Sequence, residues 1–265
     1  MAMYHLKYPQ KQTDPPLPPW ETLPTMYDLP YEKGPEEPGL PDEFHDIQPQ
    51  LLSETFLPPD EPSDRIFTAS DMNLYYDVHN QLWYKRPDWF AAVGVSRLSR
   101  EGDMRLSYVM WQELVSPFVV VELISPGTEK EDLGTTKTRS QNGKERPPRK
   151  WDVYESILRV PYYVVFDRYA NTLRIFQNVG KHYEPVDLSE NKFWIPDLRL
   201  GICLWEGEYQ GVDRLWLRWF DASGKIVETE AEKRKHDREA LKQERDRSQK
   251  LAQKLRELGI NPDEL

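Results

Sequence analysis

The spacing of hydrophobic positions changes repeatedly along the chain, and each change predicts a different element. Phe44, Ile47, Leu51 and Leu52 recur at helical intervals within "PDEFHDIQPQLLSETF", which predicts a short helix opened by Pro41 or Asp42 and docked on the core. Strand-like segments follow: "NLYYDVHN", the nearly all-apolar residues 89–95 of "PDWFAAVGV", "LSYVMWQE" and "FVVVELIS". The last two are expected to pair through residues 114–117. "KWDVYESILRV" returns to helical spacing through Trp151, Tyr154, Ile157 and Leu158. "PYYVVFD" and "TLRIFQN" then read as strands divided by "RYAN", a turn whose Asn171 tolerates left-handed backbone. "FWIPDLRLGICLW" and "RLWLRWFDASGKIV" complete the body, the second as a hairpin around "DASGK". Strands, one crossover helix and more strands predict an α/β fold, a mixed β-sheet core flanked by helices.

The two ends are different material. Residues 1–65 hold more than half of the chain's 23 prolines, so an extended or draped arm carrying the short helix is expected there. The core then spans 66–227. Residues 228–265 form a charged helical tail with no proline or glycine until Gly259. Leu241, Ser248 and Leu255 recur every seven residues, with Leu251 and Leu258 offset between them. Ser248 and Glu244 interrupt that seam, which leaves a paired coiled coil and a solvated single helix both open.

Composition narrows the class. A hydrophobic content of 38% suits one globular domain with polar appendages, and the mean hydropathy is -0.77. No apolar run approaches the ~18–20 residues of a membrane span. The opening "MAMYHLKYPQKQ" lacks a basic-then-apolar leader, so a cytoplasmic, membrane-free protein is expected. Cys203 is the only cysteine, which rules out an intramolecular disulfide or a cysteine zinc cluster. A net charge of -10 argues against a whole surface built for nucleic acid. One loop runs against that balance: Lys137, Arg139, Lys144, Arg146 and Arg149 precede Lys150 with a single glutamate among them. It reads either as an arm that contacts DNA phosphates or as a solvated surface loop.

Glu122 is the anomaly of the pattern. "FVVVELI" has the continuous branched character of a strand covered on both faces, where an ionised carboxylate costs several kcal/mol unless it is paired or metal-bound. Asp88 opens another apolar strand directly after Pro87, and Lys150 begins the crossover helix. Two strand carboxylates and a lysine are the parts of a magnesium-dependent phosphodiester-cleaving site, since Mg²⁺ uses one or two carboxylates, keeps waters and bridges to phosphate. Taken singly, the bland readings are a turn for Asp88, a helix start for Lys150, a turn cap for Asp132, strand-end turn chemistry for Asp77 and a strand terminus for Asp167. His45, His79 and His182 show no metal-type spacing and are assigned no catalytic work. The "RLWLRWF" stretch reads as a packed hairpin or covered interface rather than a base-stacking platform.

These residues also carry a resemblance. Pro87-Asp88, Glu122 with Ser125-Pro126, Asp132, Lys150 with Tyr154, and "YYVVFD" ending at Asp167 fall in the order of the Uma2 (DUF820) family, and the chain resembles it best over residues 70–180. The resemblance implies the PD-(D/E)XK nuclease fold, with Asp88 and Glu122 as ligands of Mg²⁺ or Mn²⁺ and Lys150 assisting the attacking water. Two departures stand out. Ile124 occupies the place where the nuclease pattern has a lysine, and Phe118 the place where many members have an aspartate. Lys150 could supply the ammonium from the helix instead. The resemblance implies a DNA endonuclease working as a homodimer. The rival is a non-catalytic nuclease fold, an assembly or regulatory module that recruits a protein partner through the C-terminal helix.

Overall fold

A computed structural model describes residues 42–100, 102–124, 132–134 and 147–257. The chain builds a six-stranded mixed sheet, β1 (Ile66–Ala69), β4 (Trp89–Val93), β6 (Val119–Leu123), β7 (Tyr162–Asp167), β8 (Thr172–Val179) and β9 (His182–Pro185), in that spatial order. β6 and β7 form its one parallel pair and every other neighbour is antiparallel. Such a pair needs a crossover, and the segment between the two strands includes the predicted helix.

Alternation sorts the residues of β6 onto two faces. Val119, Val121 and Leu123 join a core with helix α1 (Glu43–Thr55) and an antiparallel sheet of β10 (Lys192–Ile195), β11 (Leu200–Tyr209) and β12 (Val212–Phe220). Asp42 caps α1 by accepting from the amides of Phe44 and His45. Gln48 clamps the helix to β12 by exchanging two 2.9 Å hydrogen bonds with the Leu217 backbone. Val120 faces the other way, into a second core with Phe90, Tyr163, Val165 and Tyr154. Glu122 shares that face. Both sides of β6 are therefore covered, as its apolar run requires.

Several expectations change. "LSYVMWQE" does not pair with "FVVVELIS": only β5 (Tyr108–Val109) is extended, and it pairs in parallel with β2 (Leu74–Tyr75), whose other neighbour is β3 (Tyr84–Lys85). The chain after β5 coils into a helical turn, α2 (Met110–Glu113), closed by Leu114 at φ 59°. The main C-terminal hairpin turns at Gln210-Gly211, whereas "DASGK" closes only a minimal ladder, Phe220 opposite Ile226. Trp216, Leu217 and Trp219 are buried, so "RLWLRWF" is a packed strand.

The crossover helix is irregular. One α-turn, α3 (Lys150–Asp152), widens into a π-turn over Val153–Ile157, where the Leu158 amide reaches back to the Val153 carbonyl at 2.8 Å. The inserted residue explains why Ile157 is exposed while Tyr154 and Leu158 are buried. The tail forms α4 (Glu230–Glu257), with no buried residue and with Leu241 and Leu251 exposed. None of the described helices is long and apolar enough to cross a membrane.

Candidate active site

β4 and β6 run antiparallel with Trp89 opposite Val121, so the register carries Asp88 to the position opposite Glu122. Alternation then sends both side chains to the same face. The Asp88 amide lies 3.4 Å from Glu122 Oε2, and the Leu123 amide donates to Asp88 Oδ2 at 2.6 Å.

The crossover segment supplies the rest. Lys150 Nζ lies 3.1 Å from Glu122 Oε2, and the Tyr154 hydroxyl donates to Glu122 Oε1 at 3.0 Å. Lysine and tyrosine four residues apart share one face of a helical turn, and both meet the same carboxylate. Lys150 also lies 3.0 Å from Asp132 Oδ1. Asp132 is buried, not a surface turn cap, and the Tyr163 hydroxyl holds its carbonyl at 2.9 Å. Gly134 allows this approach: at φ +66° a Cβ would meet the Trp151 ring at 2.8 Å. Arg149, expected to face DNA, donates to both Asp152 oxygens at 2.8 Å and to the Gly134 carbonyl at 2.7 Å, so its fork clamps the crossover.

Glu122 and Asp132 are sealed from solvent (0% and 2% exposed), whereas the Lys150 side chain retains 19%. Half-buried Asp88 and Lys150 thus form the mouth of the cluster. Burial drives the Glu122 carboxyl well above its usual range; Lys150 opposes this, and Asp88 and Asp132 reinforce it. Asp88 is raised for the same leading reason, against the pull of Lys150 and His45. Burial would depress Lys150, but Glu122, Asp132 and Asp88 outweigh it and hold the ammonium well above its normal value. Tyr154 and Tyr163 are also pushed far up, by burial and then by neighbours led by Glu122.

The departures from the nuclease pattern have structural counterparts. Ile124 packs in the core on Glu122's face, while the ammonium beside Glu122 comes from α3. Phe118 packs against Tyr162 with ring centroids 5.8 Å apart. Asp77 accepts from the amides of His79 and Asn80, and Asp167 from those of Tyr169 and Ala170, so both close turns. Lys137, Arg139, Lys144, Arg146 and Ser125-Pro126 lie outside the described residues. Sequence reasoning missed Tyr163 and also His45, whose Nε2 lies 3.2 Å from the Leu123 carbonyl and whose Nδ1 lies 3.0 Å from Asp42 Oδ1. The apolar run of β7 gave only the burial of Tyr163, and helical periodicity only the phase of His45, not their partners.

Among the described residues, no three Asp, Glu, His or Cys side chains converge into a protein-only metal shell. The neighbouring Asp88 and Glu122 carboxylates offer oxygen ligands of the kind a hard divalent ion takes, one or two at a time, with water and phosphate oxygen at its other positions. Three carboxylates against one ammonium also leave an acidic excess that such an ion would neutralise.

The model of the family described as "Uma2: Putative restriction endonuclease" matches residues 27–204. A solved structure from Anabaena variabilis, described as a putative nuclease belonging to DUF820, is similar at 12% identity over 60% of this chain and 75% of that chain, with a TM-score of 0.41. No curated protein matches the chain.

Proposed function

Because the chain belongs to the Uma2 family of restriction-endonuclease-like proteins, we propose that it is a metal-dependent endonuclease that hydrolyses phosphodiester bonds in DNA. The observation that carries this reading is the buried cluster in which Asp88, Glu122 and Asp132 outnumber Lys150. Asp88 and Glu122 are the residues that would hold Mg²⁺, or Mn²⁺ in its place. When bound, the ion supplies Lewis acidity at the phosphate and a water of lowered pKa.

The protein's own groups set the geometry. Tyr154 fixes one oxygen of Glu122, and the Leu123 amide fixes one oxygen of Asp88. Lys150, partly open to solvent between Glu122 and Asp132, donates hydrogen bonds to the attacking water or to the phosphate oxygens on which charge develops. Asp132 holds the ammonium from its far side. A homodimer would place two such sites on the two strands of a duplex.

A plasmid-nicking assay with Mg²⁺ and then Mn²⁺ tests the reading, comparing wild type with Glu122→Ala. Metal-dependent nicking that disappears in the variant is the expected result. Clean wild-type protein that cuts neither duplex, single-stranded nor branched DNA overturns it.

The second reading, a non-catalytic module that recruits a partner, draws on α4. This helix is anchored at its base, where Glu232 receives Arg218 in two 2.8 Å bonds and forms a reciprocal cap with Thr229, and where His236 Nδ1 lies 3.0 Å from Glu228 Oε1. Beyond His236 the described residues of the helix remain largely exposed. Truncation after Asp237 preserves the anchor; loss of a partner in pull-down with nicking retained would separate the two roles.

A further inference from the structure

A cationic pair that the mechanism does not use sits on the other face of the sheet, at the same end of its central strands. Arg168 follows β7 directly, and Arg214 stands near the start of β12. Both guanidinium groups pack on Phe44, with Cζ 4.9 Å and 4.2 Å from the ring centroid, and Arg214 also lies 5.4 Å from the Trp216 ring. Phe44 is itself wedged against Phe166 and Trp216. The pair is therefore mounted on a rigid aromatic base rather than on loose side chains.

Its charges are unequally compensated. Asp42 pairs with Arg168, but this carboxylate already accepts from the amides of Phe44 and His45 and contacts His45 Nδ1. Arg214 forms no ion pair among the described residues, and its Nε is buried without a hydrogen-bond partner. Partial burial, followed by the nearby charge of Arg168, depresses the Arg214 guanidinium. Stacking on aromatic rings offsets part of this cost, yet leaves the donor fork unused. Two like charges on one ring become favourable when an anion joins them.

The place of the pair identifies the anion. His45, the neighbour of Phe44, contacts the carbonyl of Leu123, the residue after Glu122. The arginines and the carboxylate cluster thus flank the same end of β6 and β7. We infer that Arg168 and Arg214 form a phosphate-binding site for the DNA backbone, gripping a phosphodiester that flanks the one to be cut. The ligand's identity rests on the nuclease reading; the anion site rests on the arginines themselves.

Full-length protein is titrated against a short fluorescein-labelled duplex in EDTA, with anisotropy followed at several salt concentrations. Arg214→Met keeps the apolar packing and removes the charge; it is expected to weaken binding about tenfold and to lower the slope of log affinity against log salt by about one. Arg214→Lys keeps the charge without the fork, so affinity should fall while the slope stays. If Arg214→Met unfolds, the lysine variant decides alone. Wild-type affinity in the folded variants overturns the phosphate site and leaves the nuclease reading to the nicking assay. Wild-type protein that binds no duplex also overturns the site, and nicking by that same protein shows whether the nuclease reading survives.

Discussion

Two buried charge systems in this fold are built on opposite principles. At the base of α4, Arg218 is wholly buried and meets one carboxylate through a two-bond fork, with a further bond to the Val227 carbonyl. Charges there balance. Although burial raises the Glu232 carboxyl, hydrogen bonds from Arg218 and the Thr229 amide bring it down to about 2. At the end of the central strand β6, carboxylates outnumber the ammonium, and burial leaves Asp88 and Glu122 raised. At the base of α4, a charge buried for stability is matched by one opposite charge. A cluster with acidic excess holds electrostatic cost in the folded state, and a cationic ligand can relieve it.

The largest break in this comparison comes from Lys150→Met. Removing the only ammonium leaves three carboxylates facing one another, so stability should fall by about 3–5 kcal/mol near neutral pH. Nicking should be lost as well. The stability deficit should shrink as pH falls and the raised carboxyls take up protons. Urea denaturation at acidic and neutral pH measures this; a deficit unaffected by pH would mean that carboxylate repulsion is not its source.

Glu232→Gln sharpens the other side. It should destabilise the fold by about 3 kcal/mol, because the buried Arg218 loses its counter-charge, while metal-dependent nicking per folded molecule stays at the wild-type level. The Glu232 carboxyl itself contributes with the opposite sign to the raised Asp88 and Glu122 carboxyls, although both variants' deficits shrink toward low pH. Glu232 is depressed in the folded state, so its stabilisation is present above the ordinary glutamate range and disappears as pH falls toward about 2. Acid denaturation of wild type and variant should therefore converge at low pH. Curves that remain apart would place the loss elsewhere.

A third test uses the metal. Asp88 and Glu122 are raised in the folded state, so they cost stability as pH climbs through that raised range, and a bound cation must displace their protons. The rise in melting temperature caused by Mn²⁺ should accordingly grow as pH climbs above the ordinary carboxylate range, and Glu122→Gln should remove most of it. An increment independent of pH in wild type would argue against ligation by these carboxylates.

What the sequence disclosed about this site follows a physical boundary. Glu122 stood out because a carboxylate inside a two-faced apolar strand contradicts local pattern, and α1 and β7 were legible from periodicity alone. Asp88 and Lys150 drew notice as a carboxylate opening an apolar strand and a lysine starting the crossover helix, each with a bland reading of its own until the order of motifs joined them. Asp132 was misread, because its burial depends on Tyr163 and Gly134 drawing the crossover onto the sheet. The pairing of β5 with β2 was missed for a similar reason: short strands carry little alternation, and their partners are set by tertiary packing. Arg214 reads as an ordinary strand-surface residue until Phe44 is brought beneath it from a distant helix.

The smallest expected effect concerns Tyr154, which sequence periodicity places simply in the core. Its hydroxyl occupies one oxygen of Glu122 and leaves Lys150 on the other, so the carboxylate is held by two groups from one helical turn. Tyr154→Phe keeps the ring among Val153, Tyr163 and the rest of that core and removes a single donor. The loss should cost about 1–2 kcal/mol of stability, the scale of a hydrogen bond to a charged acceptor. A purely structural tyrosine would stop there. If it also orients Glu122 for a cation, calorimetric affinity for Mn²⁺ should fall several-fold in the folded variant, beyond what its stability explains. Unchanged affinity would reduce Tyr154 to a core residue, and would leave Lys150 and the strand register as the only groups that aim Glu122.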